Sequence, residues 1–243
     1  MNTIIENTYD ELSKHAADDL SEFIKSKRNP LICTASGDSP AGLYKELVSR
    51  VNKNQLDISS WFFVGLDEWM GMNGQDEGSC RYYLDKQLFG PLSIATQRIC
   101  FFNGRTSDPE KECQVVNDYI TEHKGIDVAI VGLGLNGHVG MNEPGTPPHL
   151  HAHKAKIDLQ TQQVGQKYFK EAKEISSGLT LGIADLLQAK KIMLIVSGSN
   201  KAGIVKKVLE EEISEQIPAT LLRNHPGFSI YLDGASSQMI SNT

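Results

Sequence analysis

Short apolar runs alternate along the chain with stretches in which apolar residues return every three or four positions. From Tyr9 to Lys27, Leu12, Ala16, Leu20 and Ile24 recur every fourth residue with no proline or glycine between them, which predicts an amphipathic helix. Pro30 ends it and leads into Leu31-Ile32-Cys33, a buried-strand candidate. Helical spacing returns over Ala41–Val51, and the runs Trp61–Leu66 and Arg98–Phe101 read as strands. Pro109–His123 reads as a helix with proline suitably placed at its start, followed by a strand over Asp127–Leu133. Beyond a polar stretch come a strand (Lys191–Ser197), a helix (Asn200–Ile213) and a strand (Phe228–Asp233). Strands separated by helices predict an α/β fold, an open and mostly parallel sheet with helices on both faces. No repeat, Pro/Ser-rich linker or block of like charge marks a boundary, so residues 1–243 read as a single domain. In such sheets ligands bind beyond the carboxyl ends of the strands, so the residues just after each apolar run carry the functional information.

Composition narrows the classes. With 40% hydrophobic and 22% charged residues the chain matches an ordinary globular protein rather than a disordered one. A net charge of −6 speaks against nucleic acid or a polybasic membrane contact as the partner, while leaving room for a local basic pocket. The longest apolar runs are about half of what crossing a bilayer requires. The N-terminal residues lack the basic and apolar regions of a signal peptide. Cys33, Cys80, Cys100 and Cys113 are scattered without a C-x-x-C pair, as expected of free thiols in a reducing cytosol. The expectation is a cytoplasmic protein with a small-molecule ligand; a homo-oligomer is left open.

Four strand ends carry candidate chemistry. Thr34-Ala35-Ser36-Gly37-Asp38-Ser39-Pro40 precedes a helix, and reads either as an anion cradle built on small residues and a helix N-terminus or as an ordinary turn with Ser39 as N-cap. Asp38 is an awkward neighbour for an anion and would have to point away. Gly65-Leu66-Asp67-Glu68-Trp69 places two acids with alternating directions after a strand. One could serve as a general base beside an aromatic wall, or both could lie in a solvated turn. The stretch from Gly132 to Gly145 matches G-x-G-x-x-G at its start, but its later glycines and Pro144 oppose the helix that a dinucleotide site needs. What remains is a glycine-rich loop carrying Asn136, His138 and Glu143, a set suited to proton transfer near neutral pH. Ser197-Gly198-Ser199-Asn200-Lys201 puts a lysine in a helix's first turn, against the dipole. A phosphate would justify it; a solvent-exposed lysine or a Schiff-base lysine are the alternatives. His149, His151 and His153, with Lys154 and Lys156, fit a half-exposed strand better than a metal cluster, so no metal site is expected.

Taken together, GLDEW, GLGLNGHVGMNEPG, SGSNKA and the GLTLGI element containing Thr180 and Gly182 resemble the glucosamine-6-phosphate deaminase/isomerase family over nearly the whole chain. The resemblance implies a Rossmann-like fold, no redox cofactor and a sugar-phosphate substrate. It assigns ring opening to His138, oriented by Asn136 and Glu143, and C2-to-C1 proton transfer to Asp67. It assigns the 6-phosphate to Ser36, Gly37, Ser39 and Lys201, with Lys167 at a position where the family often has arginine. Asp67-Glu68-Trp69 and Gly78-Ser79-Cys80 are similar to the galactosamine-6-phosphate branch.

Three positions depart from the family pattern. Asp38 replaces a glycine of the cradle, Lys167 lacks the planar fork of arginine, and His151 stands where regulated members carry an arginine, so allosteric activation is not expected. A 6-phosphogluconolactonase shares the cradle and the acidic strand end, yet its D-E-R signature is D-E-W here. A non-enzymatic sugar-phosphate sensor would need a basic DNA-binding segment for which this sequence has no room.

Overall fold

The computed structural model describes residues 1–241. The chain begins with a short strand β1 (Asn2–Glu6), and α1 (Tyr9–Ile24) follows. Thr8 and Glu11 start α1 by exchanging hydrogen bonds with each other's backbone N–H. Next come β2 (Leu31–Thr34), α2 (Asp38–Asn52), β3 (Phe62–Gly65), β4 (Asp67–Trp69), α3 (Cys80–Leu84) and β5 (Ile99–Cys100). Asp108 caps α4 (Pro109–Glu122), whose first position is the proline the sequence pointed to. The second half holds β6 (Val128–Gly132), β7 (His153–Lys156), α5 (Leu159–Gly165), β8 (Ser177–Thr180) and α6 (Ile183–Leu187). It closes with β9 (Lys191–Val196), α7 (Ala202–Glu210), β10 (Phe228–Asp233) and α8 (Gly234–Ser237).

Seven strands form one sheet in the order β1-β10-β9-β6-β2-β3-β5, and every pairing in it is parallel. Both faces are buried, and alternate residues of each strand enter different layers. Cys33, Val64, Ala129, Val131, Leu194 and Ile230 pack with apolar residues of α4, α6 and α7. Ile32, Phe63, Ile130, Met193 and Tyr231 pack on the other face with Leu12, Leu20 and Leu43 of α1 and α2. This is the open α/β sheet with helices on both faces that the alternation of runs predicts.

The differences lie in the polar and short segments. Strand β1 is an edge strand with exposed alternate residues, so no apolar run announces it. The acids after β3 are not a solvated turn. Asp67, Glu68 and Trp69 are buried as strand β4, antiparallel to β8, which also pairs with β7 in a small second sheet. Helix α2 starts earlier than its spacing suggests: Gly37 is the residue before its first turn, and Ser39 and Pro40 lie inside it rather than at N-cap and N1. Only His153 of the three alternating histidines lies on a strand, β7. His151 Nδ1 instead meets Asp185 Oδ1 at 2.5 Å.

Strand order reverses between β2 and β6. From β2 the chain steps outward to β3 and β5, then returns to the other side of β2 for β6, β9 and β10. The loops leaving β2 and β6 therefore diverge and open a crevice above their carboxyl ends.

Candidate active site

A cavity of about 250 Å³ fills that crevice. Its floor and walls come from the turn after β2, the start of β4, the glycine-rich loop after β6, the turn after β9, and α5 with the residues following it. Of the catalytic and phosphate-holding residues expected from the sequence, Ser36, Gly37, Ser39, Asp67, Asn136, His138, Lys167 and Lys201 line it, while Glu143 stands behind His138.

The glycine-rich loop folds back on itself through Gly134 N–H donating to the His138 carbonyl at 2.9 Å. A methyl group at Gly134 would lie 2.2–2.4 Å from three atoms of the His138 ring, so the imidazole rests flat on bare backbone. Asn136 Nδ2 donates to Glu143 Oε2 at 2.7 Å, which commits its Oδ1 to acceptance. That oxygen lies 2.8 Å from His138 Nδ1 and also accepts the His138 N–H at 3.1 Å. The network assigns the proton to Nδ1 and the lone pair to Nε2, which has no protein partner among the described residues. Glu143 Oε2 is 3.4 Å from Nδ1, placed to stabilise an imidazolium. Burial works against the Glu143 charge, but hydrogen bonding to His138 and Asn136 outweighs it and holds the carboxyl below its usual value. Thr161 Oγ1, 3.1 Å from Nδ1, completes the set.

Asp67 and Glu68 divide the two tasks open to paired acids at a strand end. Glu68 turns inward, fully buried, and accepts N–H groups from Trp69 (2.9 Å), Cys80 (3.0 Å) and Arg81 (3.1 Å), tying β4 to the start of α3. Burial pushes its carboxyl up to about 7, against the pull of those donors. Asp67 faces the cavity. Burial raises it to about 6, while the Cys80 thiol and His138 beside it pull the other way.

The cradle is built from the N-terminus of α2 and two lysines. Gly37 has φ +114°, a conformation that favours glycine, and bends the chain so that the helix start faces the cavity. Lys201 Nζ donates to the Leu133 carbonyl at 2.5 Å. Burial, reinforced by the positive Lys167, lowers it to about 8. Asp38 and Lys167, two departures noted in the sequence, are partners: Lys167 Nζ meets Asp38 Oδ2 at 2.5 Å. The awkward carboxylate is exposed at the cavity rim, where this ammonium neutralises it.

Sequence reasoning missed several lining groups: Thr161, Tyr83 and Tyr168, which no motif contains, and Cys80, quoted only as part of a resemblance. They lie on α3, on α5 and on the turn after it, short elements without an apolar periodicity long enough to mark them.

Residues 5–230 match the family described as glucosamine-6-phosphate isomerases/6-phosphogluconolactonase. The chain belongs to this family. Among curated members, the glucosamine-6-phosphate deaminase of Clostridium acetobutylicum is 34% identical, covering 99% of this chain and 100% of its own. That of Oceanobacillus iheyensis is 34% identical over 99% of this chain and 97% of its own. A solved structure of a monomeric glucosamine-6-phosphate deaminase superposes with a TM-score of 0.94 at 32% identity, over 98% of this chain and 100% of that one. The 6-phosphogluconolactonase of Trypanosoma brucei superposes with a TM-score of 0.77 at 18% identity over 99% of this chain and 98% of that one, a likeness of fold alone.

Proposed function

We propose that this cavity converts a hexosamine 6-phosphate to the ketohexose 6-phosphate and ammonia. The observation that carries the reading is the pairing of a lone-pair-bearing Nε2 on His138 with a buried carboxyl at Asp67 on the wall of one cavity that also holds an anion cradle. His138 Nε2 takes the proton of the anomeric hydroxyl and hands it to the ring oxygen, which opens the pyranose to an aldehyde. Glu143 stabilises the imidazolium through its charge, and Asn136 holds the ring. The Asp67 carboxylate then removes the C2 proton while O1 takes a proton from the C2 ammonium, giving an enolamine. Returning the same proton to C1 gives an imine at C2. Water adds there, nitrogen leaves as ammonia, and the ketone forms at C2. No step changes oxidation state overall or calls on a redox cofactor. Ser36, Gly37, Ser39, Lys201 and the rim residue Lys167 hold the phosphate, whose binding energy places C1 and C2 against Asp67.

The galacto epimer is the substrate we assign within this class. Trp69 and Cys80, two of the residues that resemble the galactosamine-6-phosphate branch, both line the cavity, which supports a role in reading the sugar. The test compares ammonia release from galactosamine-6-phosphate and glucosamine-6-phosphate side by side at neutral pH. A strong galacto preference is expected; a gluco preference would discard the epimer assignment while keeping the chemistry. Release from neither would remove the deaminase reading. Asp67→Asn is expected to bind substrate yet lose exchange of the C2 proton with solvent deuterium, and retained exchange would reassign the base.

A further inference from the structure

Lys167 stands on the turn Gln166–Tyr168, and Asp38 already holds its ammonium. The next residue, Tyr168, projects into the same cavity, with its hydroxyl 3.4 Å from where a Cβ on Gly37 would sit. Gly37 is the residue from which α2 departs, so that hydroxyl hangs over the helix start that Ser36 and Ser39 flank. Two contacts fix Tyr168 there. Tyr83 Oη donates to the Tyr168 carbonyl at 2.9 Å, and the two rings meet edge to face with centroids 5.4 Å apart. Among the described residues the Tyr168 hydroxyl donates to nothing. Burial, followed by the nearby Asp38, pushes it above its usual value, so its proton is present throughout the physiological range.

We infer that Tyr168 is a further ligand of the substrate's phosphate, donating its hydroxyl proton from above the cradle, and that Tyr83 is the positioning residue that presents it. The inference rests on the reading of the cavity as a sugar-phosphate site. A donor fixed by an aromatic pair replaces part of what Lys167 cannot give while Asp38 engages it. In this role the hydroxyl acts on the phosphate and not on the reacting carbons, so it contributes to binding in ground state and transition state alike.

The test uses inorganic phosphate as the probe, by calorimetry on the full chain without substrate, and then steady-state kinetics with the hexosamine 6-phosphate. Tyr168→Phe keeps the ring and is expected to weaken phosphate binding about tenfold, the order set by one hydrogen bond to a charged group. KM rises to a similar extent and kcat stays within about twofold, the pattern of lost uniform binding. Tyr83→Phe is expected to weaken phosphate binding less, and to add nothing to Tyr168→Phe in the double variant. Phosphate binding unchanged in Tyr168→Phe but lost in Lys201→Met would overturn the inference and leave the cradle standing. Phosphate binding absent from the unmodified protein, or unaffected by Lys201→Met, would overturn the cradle and the inference with it.

Discussion

The buried acid and the buried lysine of the cavity set opposite limits on when it can work. Asp67 must be ionised to accept the C2 proton, and burial raises it to about 6. Below that pH the carboxyl is protonated, and the rate is expected to fall about tenfold per pH unit as the ionised fraction shrinks. Lys201 must be charged to hold a phosphate, and burial lowers it to about 8, so above that pH the expected change is a rising KM. A profile of kcat and KM from pH 5 to 9 checks both: the absence of an acid limb in kcat/KM near 6, or an unchanged KM above 8, would contradict the assignment. The same shift has a consequence for folding. The folded protein holds the Asp67 proton more tightly than the unfolded chain does. The group's contribution to stability is therefore greatest below 3.8 and declines as pH rises to about 6, so the working form of the site is the more costly one for the fold.

At the scale of elements, the loop after β6 is where sequence and structure agree most closely. Its glycines and polar residues marked a rigid loop, and Asn136, His138 and Glu143 form one hydrogen-bonded set within it. Gly134 is the position that decides whether the set works. Its φ is not in the left-handed region, so alanine suits the backbone, but the added methyl would occupy the His138 ring's place. Gly134→Ala is expected to leave the melting temperature within a few degrees and lower kcat about a hundredfold, the cost of displacing a catalytic group by about 1 Å. A kcat within threefold of the unmodified protein would show that the ring moves freely. Legibility fails elsewhere for one reason. The central strands announce themselves because both faces are apolar, whereas Asp67–Trp69 and His153–Lys156 are short, polar strands held by pairing with β8. Strand β1 pairs with β10 across almost the whole chain, and Tyr168 reaches Gly37 from a turn with no pattern of its own. Local spacing carries no trace of such distant partners. The Asp38–Lys167 pair is the sharpest instance: each residue alone reads as a departure from the cradle, and only their contact shows that they offset one another.

At the scale of the whole molecule the parallel sheet separates two jobs by its two ends. The carboxyl ends of β2, β6 and β9 carry the cavity, and the opposite ends of the same strands are tied together by Asp127. Its Oδ2 accepts the Leu31 N–H at the start of β2 at 3.0 Å, and its Oδ1 lies 2.8 Å from Lys190 and 3.5 Å from Lys27. The carboxylate is buried while both lysines keep some contact with water, so the ion pairs are partly screened. The larger loss on truncation comes from the Leu31 N–H left without an acceptor at the buried strand start. Asp127→Ala is therefore expected to cost about 2 kcal/mol, and with it about 4–8 °C of melting temperature for a chain of this size. Asp127→Asn keeps an oxygen for Leu31 and is expected to lose less. Because the whole length of the sheet lies between Asp127 and the cavity, kcat and KM per folded molecule are expected to stay within about twofold in both variants, as distant, unshared sites add independently. Melting curves with active-site-normalised kinetics check the pair. A kcat that fell in proportion to the lost stability would mean that the strand starts and the strand ends move as one, and that the crevice depends on the register Asp127 holds.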